Sequence, residues 1–328
     1  MLKYTVKRLI SLIPVLFIIS LVLFGMMHAM PGDPVNLYMP DTPELAQNPE
    51  MREEVYRITA ARYGFDQPLP IQYVRWISNL VQGDFGYSSM RQLPVKDAIA
   101  VPLKNTLILN IGATIISFLF SLWVGIRSAV KQGKFFDRFW QVMSMIGYSL
   151  PTFFIGLSLI FVFAAKLQWL PYGSMPNRAQ TPTDWQYFIS WIRTLILPTV
   201  TITIGSFAST SRYVRNAMIE ALSQDYVRTA RAKGLSEKTV IYGHAFRNAL
   251  IPVVTIVAWS IAGLFGGAAI TEKIFAYNGI GRMLIEGVLA RDFQLVLTMN
   301  MFYTVLSLSS NLLMDLGYAI VDPRIRLD

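Results

Sequence analysis

The 328-residue chain contains no cysteine and only two histidines, His28 and His244. The absence of cysteine excludes disulfide bonds and thiolate metal sites, and the scarcity of histidine removes most zinc and general-base arrangements. Charged residues are also scarce, at 15% of the chain, whereas a soluble domain carries about a quarter. Hydrophobic residues make up 53%, and the mean hydropathy is +0.43. This composition excludes a soluble enzyme and a disordered protein.

The sequence also lacks the motifs that mark the common catalytic sites. It has no Gly-x4-Gly-Lys-Ser/Thr phosphate-binding loop and no His-Glu-x-x-His metalloprotease motif. Its Ser, Asp and Lys residues form no pattern that singles out a catalytic set. We therefore predict no catalytic residues, no cofactor site and no metal site, so that any ATP hydrolysis must come from another chain.

Six uncharged stretches are long enough to cross a membrane, which takes roughly 20 apolar residues in a helix. They are Leu9–Gly32, Asn105–Ile126, Phe139–Ala165, Thr194–Ser211, Asn248–Thr271 and Phe293–Met314. The first stretch exceeds the 7–15 apolar residues typical of a signal peptide, so we expect it to remain uncleaved as the first transmembrane helix. The sequence predicts an all-α integral membrane protein with six transmembrane helices.

The distribution of Lys and Arg predicts the orientation. Segments 1–8, 127–138, 212–247 and 322–328 together carry 16 basic residues, whereas the two short loops on the other side, 166–193 and 272–292, carry six. Because basic loops stay in the cytoplasm, both termini are expected to be cytoplasmic. This asymmetry accounts for the net charge of +9, so nucleic acid is not needed as a partner.

We divide the chain by this topology into 1–30 (the N-terminus and helix 1), 31–103 (an extracytoplasmic loop domain), 104–321 (helices 2–6) and 322–328 (a cytoplasmic tail). The loop between helices 1 and 2 is predicted to contain two short amphipathic helices, at Glu50–Arg62 and Pro68–Gln82. A loop of this length exceeds what a connection needs. It is either a solvated cap over the helices or a docking surface for an external partner.

The cytoplasmic segment 212–247, which we call the elbow, has strong helix punctuation. Helix-forming residues continue from Ala217 to Lys233, and Gly234 predicts a stop in left-handed backbone conformation. Ser236 followed by an acidic residue predicts the N-cap of another helix. The expected structure is helix, glycine turn, helix.

The elbow resembles the coupling-loop motif of ABC importer permeases. Its residues read Asp225-Tyr-Val-Arg-Thr-Ala-Arg-Ala-Lys-Gly-Leu-Ser, followed by His244-Ala-Phe-Arg-Asn-Ala-Leu-Ile-Pro-Val-Val-Thr. More narrowly, the chain looks like the B-type permease subunit of the peptide (dipeptide/oligopeptide) and nickel importer family. Further motifs extend the resemblance over nearly the whole chain: Met30-Pro-Gly-Asp-Pro-Val, Tyr63-Gly-Phe-Asp-Gln-Pro-Leu-Pro, Gly83-Asp-Phe-Gly-Tyr-Ser, Thr271-Glu-Lys-Ile-Phe, Gly279-Ile-Gly-Arg and Val321-Asp-Pro-Arg-Ile-Arg.

One departure concerns the general permease pattern of Glu-Ala-Ala, three residues and then Gly. The six positions before Gly234 begin Arg228-Thr-Ala, so only the second alanine is kept. Arg247 stands where a proline is expected, with Pro252 further on. The peptide subfamily is expected to share these departures, so they limit the resemblance to that subfamily.

The resemblance implies a type I ABC importer permease in a bacterial or archaeal cytoplasmic membrane. Two homologous permease subunits would form the pathway, two ABC ATPases would bind ATP and Mg, and an extracytoplasmic peptide-binding protein would deliver substrate. The residues implied in coupling to the ATPase are Asp225, Tyr226, Arg228, Ala230, Lys233, Gly234, Leu235 and Ser236. The substrate would be a peptide.

Other substrates and one other class remain open. Nickel, glutathione and oligosaccharides are alternatives within the family. An ion-coupled secondary transporter is expected to have broken helices and acidic groups at mid-membrane. None of the six uncharged spans contains Asp or Glu, which disfavours that class.

Overall fold

The computed structural model describes residues 2–29, 32–40, 42–173, 175, 176, 181, 183–250 and 263–321. These residues are mostly helical. The helices are α1 (Leu2–Ala29), α2 (Pro34–Tyr38), α3 (Pro43–Gln47), α4 (Pro49–Tyr63), α5 (Leu69–Val81), α6 (Val95–Val130), α7 (Phe135–Ser149), α8 (Thr152–Leu159), α9 (Asp184–Ser223), α10 (Asp225–Ala232), α11 (237–250), α12 (Ala269–Ile274), α13 (Ile280–Leu289) and α14 (Phe293–Val321). Two segments are π-helical: Ile160–Lys166, which continues α8, and Thr239–Ala245, within α11. One short antiparallel hairpin joins β1 (Tyr87–Ser88) to β2 (Leu93–Pro94).

Among the described residues, four helical stretches are long and apolar enough to cross a membrane. They are Lys7–Ala29, Val95–Val130, Asp184–Ser223 and Phe293–Leu312, and they contain most of the first, second, fourth and sixth predicted spans. The second begins at Val95, inside the segment that the sequence assigned to the loop domain. Most of the fifth predicted span, Asn248–Thr271, lies outside the described residues, as does the tail 322–328.

The third predicted span, Phe139–Ala165, is a bent pair of helices. The helices Phe135–Ser149 and Thr152–Lys166 meet at 103°. Proline disfavours helical backbone in the residue before it, and Leu150, which precedes Pro151, is extended at φ −82°, ψ 131°. The sequence showed the proline but not the bend. Counting this pair as one span, the described residues contain up to five.

The chain divides into two compact units. The first unit comprises residues 103–282 and 309–321, and the second comprises 2–102 and 283–308. In the first unit α6 and α9 pack closely, since a Cβ on Gly125 would lie 2.7 Å from the Val214 side chain. A buried hydrogen bond of 3.1 Å between the hydroxyls of Ser144 and Ser211 joins α7 to α9.

A buried carboxylate organises the turn between α12 and α13. Glu272 is fully buried, and its carboxylate accepts hydrogen bonds from the Thr106 hydroxyl (2.7 Å) and the Arg282 backbone N–H (2.8 Å). The Thr106 hydroxyl in turn accepts from the Ile280 N–H at 2.8 Å. A Cβ on Gly279 would overlap the Glu272 carboxylate. Two motifs noted in the sequence, at 271–275 and 279–282, therefore form one hydrogen-bonded structure.

We expect Gly279→Ala to destabilise the protein measurably, because the added methyl group would displace the Glu272 carboxylate from its donors. Leaving buried donors unsatisfied costs about 1–3 kcal/mol. Gly205→Ala is the matched control, because nothing lies within 4 Å of the position its Cβ would take. Thermal unfolding in detergent measures the difference. Equal midpoints for the two variants would contradict this account of the turn.

The second unit contains the loop between the first two spans. Helices α4 and α5 lie where the two short helices Glu50–Arg62 and Pro68–Gln82 are expected. The hairpin is fixed to the start of α14 by Asp292, which is fully buried and accepts from the Ser88 hydroxyl and from the N–H groups of Met90 (3.1 Å) and Leu295 (3.2 Å). The last of these bonds makes Asp292 the N-cap of α14. The loop is therefore a folded structure with its own anchors.

Candidate coupling site

The elbow begins as a continuation of α9 and then changes direction. Helix α9 ends at Ser223, Gln224 is extended at φ −74°, ψ 151°, and α10 begins at Asp225. The prediction of one helix from Ala217 to Lys233 is therefore wrong. The Ser223 hydroxyl donates to the Glu220 carbonyl at 2.8 Å, a local bond of the kind that competes with helix propagation.

The glycine turn has the predicted conformation. Gly234 has φ +74°, in the left-handed region that glycine adopts without steric cost. Its N–H donates to the Arg231 carbonyl (3.0 Å), and the Leu235 N–H donates to the Ala230 carbonyl (3.4 Å). This pair of bonds forms a Schellman motif, which satisfies the last carbonyls of a helix. The predicted stop at Gly234 is confirmed.

Ser236 begins the next helix, also as predicted. Its hydroxyl oxygen accepts from the Thr239 N–H at 3.3 Å, and its carbonyl accepts from the Val240 N–H at 3.0 Å. A serine hydroxyl bonded to the third residue of a helix is the usual N-cap arrangement. The described part of α11 then runs to residue 250.

The elbow rests on an apolar core within the first unit. Met218 and Ala221 of α9, Val227 and Ala230 of α10, and Val240 of α11 are all buried there. Ile126 and Ala129 at the end of α6, with Val214, Ala245 and Ala249, complete the core. Helix α10 therefore shares one apolar core with both flanking helices.

Seven of the eight predicted coupling residues lie on the surface of the elbow: Asp225, Tyr226, Arg228, Lys233, Gly234, Leu235 and Ser236. The eighth, Ala230, is buried in the core beneath it. The carboxylate of Asp225 and the guanidinium of Arg228 lie 3.4 Å apart, but their side chains are 94% and 74% exposed. Such an exposed pair contributes little stability. Both groups are accessible to a partner.

An ion pair that the sequence analysis missed spans the glycine turn. The Arg231 Nε lies 2.8 Å from the Glu237 Oε1, which joins the end of α10 to the start of α11. The opposite charges of Arg231 and Glu237 on either side of Gly234 could have indicated this pair in the sequence. The pair connects α10 to α11 at the outer end of the elbow, but its side chains are 44% and 62% exposed, so it contributes little stability.

A second missed pair anchors the root of the elbow. Arg215 donates to Asp137 through two parallel hydrogen bonds, Nε to Oδ1 at 2.6 Å and Nη2 to Oδ2 at 2.9 Å. The Asp137 side chain is only 1% exposed, and it also accepts from the Gly133 N–H at 2.9 Å. Bidentate Arg–carboxylate pairs fix orientation as well as distance. The pair therefore links α9, which leads into the elbow, to the start of α7.

Comparison with known families agrees with this architecture. Residues 118–327 match the family described as binding-protein-dependent transport system inner membrane component, and residues 1–109 match the N-terminal membrane component of the same kind of system. The chain belongs to this family of ABC importer permeases. The resemblance drawn from the elbow and the other motifs is confirmed.

The permease is similar along its whole length to named bacterial relatives. It is 37% identical over 326 residues to the oligopeptide transport system permease protein AppB of Bacillus subtilis strain 168, covering 99% of each chain. The identity and coverage are the same for the glutathione transport system permease protein GsiC of Escherichia coli strain K12. The permease is thus a multi-pass protein of the inner, cytoplasmic membrane, and as a permease subunit it has no catalytic activity of its own. It works in a system that depends on a binding protein.

Proposed function

We propose that the permease forms half of the translocation pathway for short peptides, either oligopeptides or dipeptides. The observation that carries this proposal is the end-to-end similarity to a permease named for oligopeptide transport and to one named for glutathione, itself a modified tripeptide. A peptide-binding protein outside the membrane delivers the substrate. A homologous second permease forms the other half, and two ABC ATPases bind ATP and Mg.

Within this proposal the permease has six transmembrane helices, both termini in the cytoplasm and a type I importer fold. Four single-helix spans and the bent pair α7–α8 support five of these crossings. The uncharged stretch Asn248–Thr271 supplies the sixth. An even number of crossings puts both termini on one side of the membrane, and the excess of Lys and Arg on that side favours the cytoplasm.

In the proposed mechanism one ATPase contacts the elbow and displaces it. Closure of the ATPases pushes on the exposed surface of α10, and the shared core transmits that displacement to α9 and α11. A switch of this kind needs a rigid element connected to the moving helices. The packing of Val227 and Ala230 of α10 in one core with α9 and α11 supports this role. Residues Asp225, Tyr226, Arg228, Lys233, Leu235 and Ser236 form or flank the contact surface.

Reconstitution tests the proposal directly. The permease is purified with its sister permease and ATPases, placed in proteoliposomes and supplied with the binding protein and a radiolabelled tripeptide. We expect uptake that requires both ATP and the binding protein, and uptake of glutathione in its place would transfer the assignment to that substrate. Peptide uptake by the permease alone in ATP-free vesicles would contradict the proposed mechanism.

A further inference from the structure

The second unit contains a cavity unrelated to the elbow. Its volume is about 420 Å³, within the range of small-molecule sites, about 300–1,000 Å³. It is lined by residues of α1, α2, α4, α5, the hairpin and α14 and of the links between them. All of these belong to residues 2–102 and 283–308, so the cavity is complete within one unit.

One wall of the cavity is aromatic. The ring of Tyr38 lies 4.5 Å from that of Tyr63 and 5.8 Å from that of Phe65. Deeper in the unit, Phe24 stacks on Trp76 at 5.9 Å, and both rings also line the cavity. These surfaces suit an apolar or aromatic side chain. Burial raises the pKa of the Tyr38 phenol above its ordinary value.

Two guanidinium groups stand beside the aromatic wall. The Arg62 guanidinium lies 5.9 Å from the centroid of the Tyr63 ring. The Arg75 guanidinium covers Gly64, where an added Cβ would lie 2.5 Å from its Nη1. Within the described part of the chain, neither arginine has a carboxylate within ion-pair distance. The cavity therefore presents two positive charges, neither of which forms an ion pair with a described carboxylate.

The remaining lining adds hydrogen-bonding groups and one negative charge. The amides of Asn79 and Gln294 line the cavity, as does the carboxylate of Asp84. One oxygen of Asp84 accepts from the Gly86 N–H at 2.9 Å. These amide groups can form hydrogen bonds with peptide groups, whereas a lipid acyl chain has no donor or acceptor to pair with them. The combination of two cations, aromatic rings, amides and one carboxylate complements a zwitterionic peptide better than it complements a lipid.

We propose that this cavity binds the carboxylate end of a short peptide, with the carboxylate on Arg62 and Arg75 and the last side chain against Tyr38, Tyr63 and Phe65. The permease thus has an extracytoplasmic peptide site of its own, in addition to that of the binding protein. Arginine is the residue best suited to hold a carboxylate by paired hydrogen bonds. The inference rests on the proposed function, because it takes the ligand to be the transported class of molecule.

The test is equilibrium binding to the purified permease–ATPase complex in the absence of the binding protein. The probe is radiolabelled Ala-Ala-Phe, compared with the same tripeptide carrying a C-terminal amide. We expect the free acid to bind and the amide to bind at least tenfold more weakly. The double variant R62Q/R75Q is expected to bind the free acid more weakly than the unaltered protein does, by a similar factor. The control is R57Q, which replaces an exposed arginine on α4, the helix of Arg62, that does not line the cavity.

Several outcomes would overturn the inference: no binding of the acid, equal binding of acid and amide, or loss of binding in R57Q as large as in R62Q/R75Q. Displacement of the probe by phosphatidylglycerol vesicles but not by unlabelled peptide would assign the cavity to lipid and would also overturn it. The acid–amide comparison uses the unaltered protein and so does not depend on the folding of a variant. ATP-driven uptake of the same tripeptide is measured in parallel. Uptake without binding contradicts only this site, and absence of uptake contradicts the proposed function.

Discussion

Gly234→Glu is expected to abolish ATP-driven uptake and ATPase coupling while leaving membrane insertion intact. Gly234 has φ +74°, and a residue with a side chain loses about 1–2 kcal/mol in that conformation. No atom lies within 4 Å of the position of an added Cβ, so the cost comes from the backbone and not from a clash. The strain weakens the two hydrogen bonds that end α10, and the new charge lies on the proposed contact surface. Uptake and transport-linked ATPase activity in proteoliposomes measure the effect.

Gly234→Asn is the matched control. Asparagine adopts left-handed backbone more readily than other residues with side chains, and the site has room for it. We expect this variant to keep most of the uptake. Full transport by Gly234→Glu would contradict the assignment of the elbow. Equal loss in both variants would show that the surface at Gly234, and not its backbone conformation, limits coupling.

The parts of the elbow that the sequence predicted are those governed by local chemistry. A left-handed stop at Gly234 and an N-cap at Ser236 depend only on residues within a few positions of each other. The break at Gln224 was not predicted, although Ser223 and Asp225 on either side of it are weak helix formers. The break is attributed to packing. Val227 and Met218 are buried in the same core, and this burial favours a break over a continuous straight helix.

The same distinction holds for the membrane spans and the second unit. The uncharged stretches of the sequence located the four described spans, but they did not indicate the 103° bend between α7 and α8. The hydrogen bonds from Thr106 to Glu272 and from Ser88 to Asp292 join residues 166 and 204 positions apart. No local pattern specifies such partners. The cavity of the second unit escaped prediction for the same reason, since its lining comes from separate segments.

The largest effect on stability is expected at the root of the elbow. Arg215→Leu would leave the Asp137 carboxylate, which is 1% exposed, without its counter-ion. Breaking a buried pair in this way costs about 3–5 kcal/mol, because one charge stays buried and unpaired. The Arg215 side chain is 16% exposed, so water offsets part of that cost and a loss near the lower figure is expected. Thermal unfolding of the detergent-solubilised complex measures it.

Two further variants separate charge burial from simple loss of contact. Asp137→Asn combined with Arg215→Leu removes both charges and keeps an acceptor for the Gly133 N–H, so it is expected to recover more than half of the lost stability. Arg228→Leu removes an arginine from the exposed pair with Asp225, and its effect is expected to be small. If Arg215→Leu were no more destabilising than Arg228→Leu, the pair would not anchor the elbow. If the double variant recovers stability but not coupling, the Asp137–Arg215 pair fixes the orientation of α9 relative to α7, because stability alone would then be insufficient for transport.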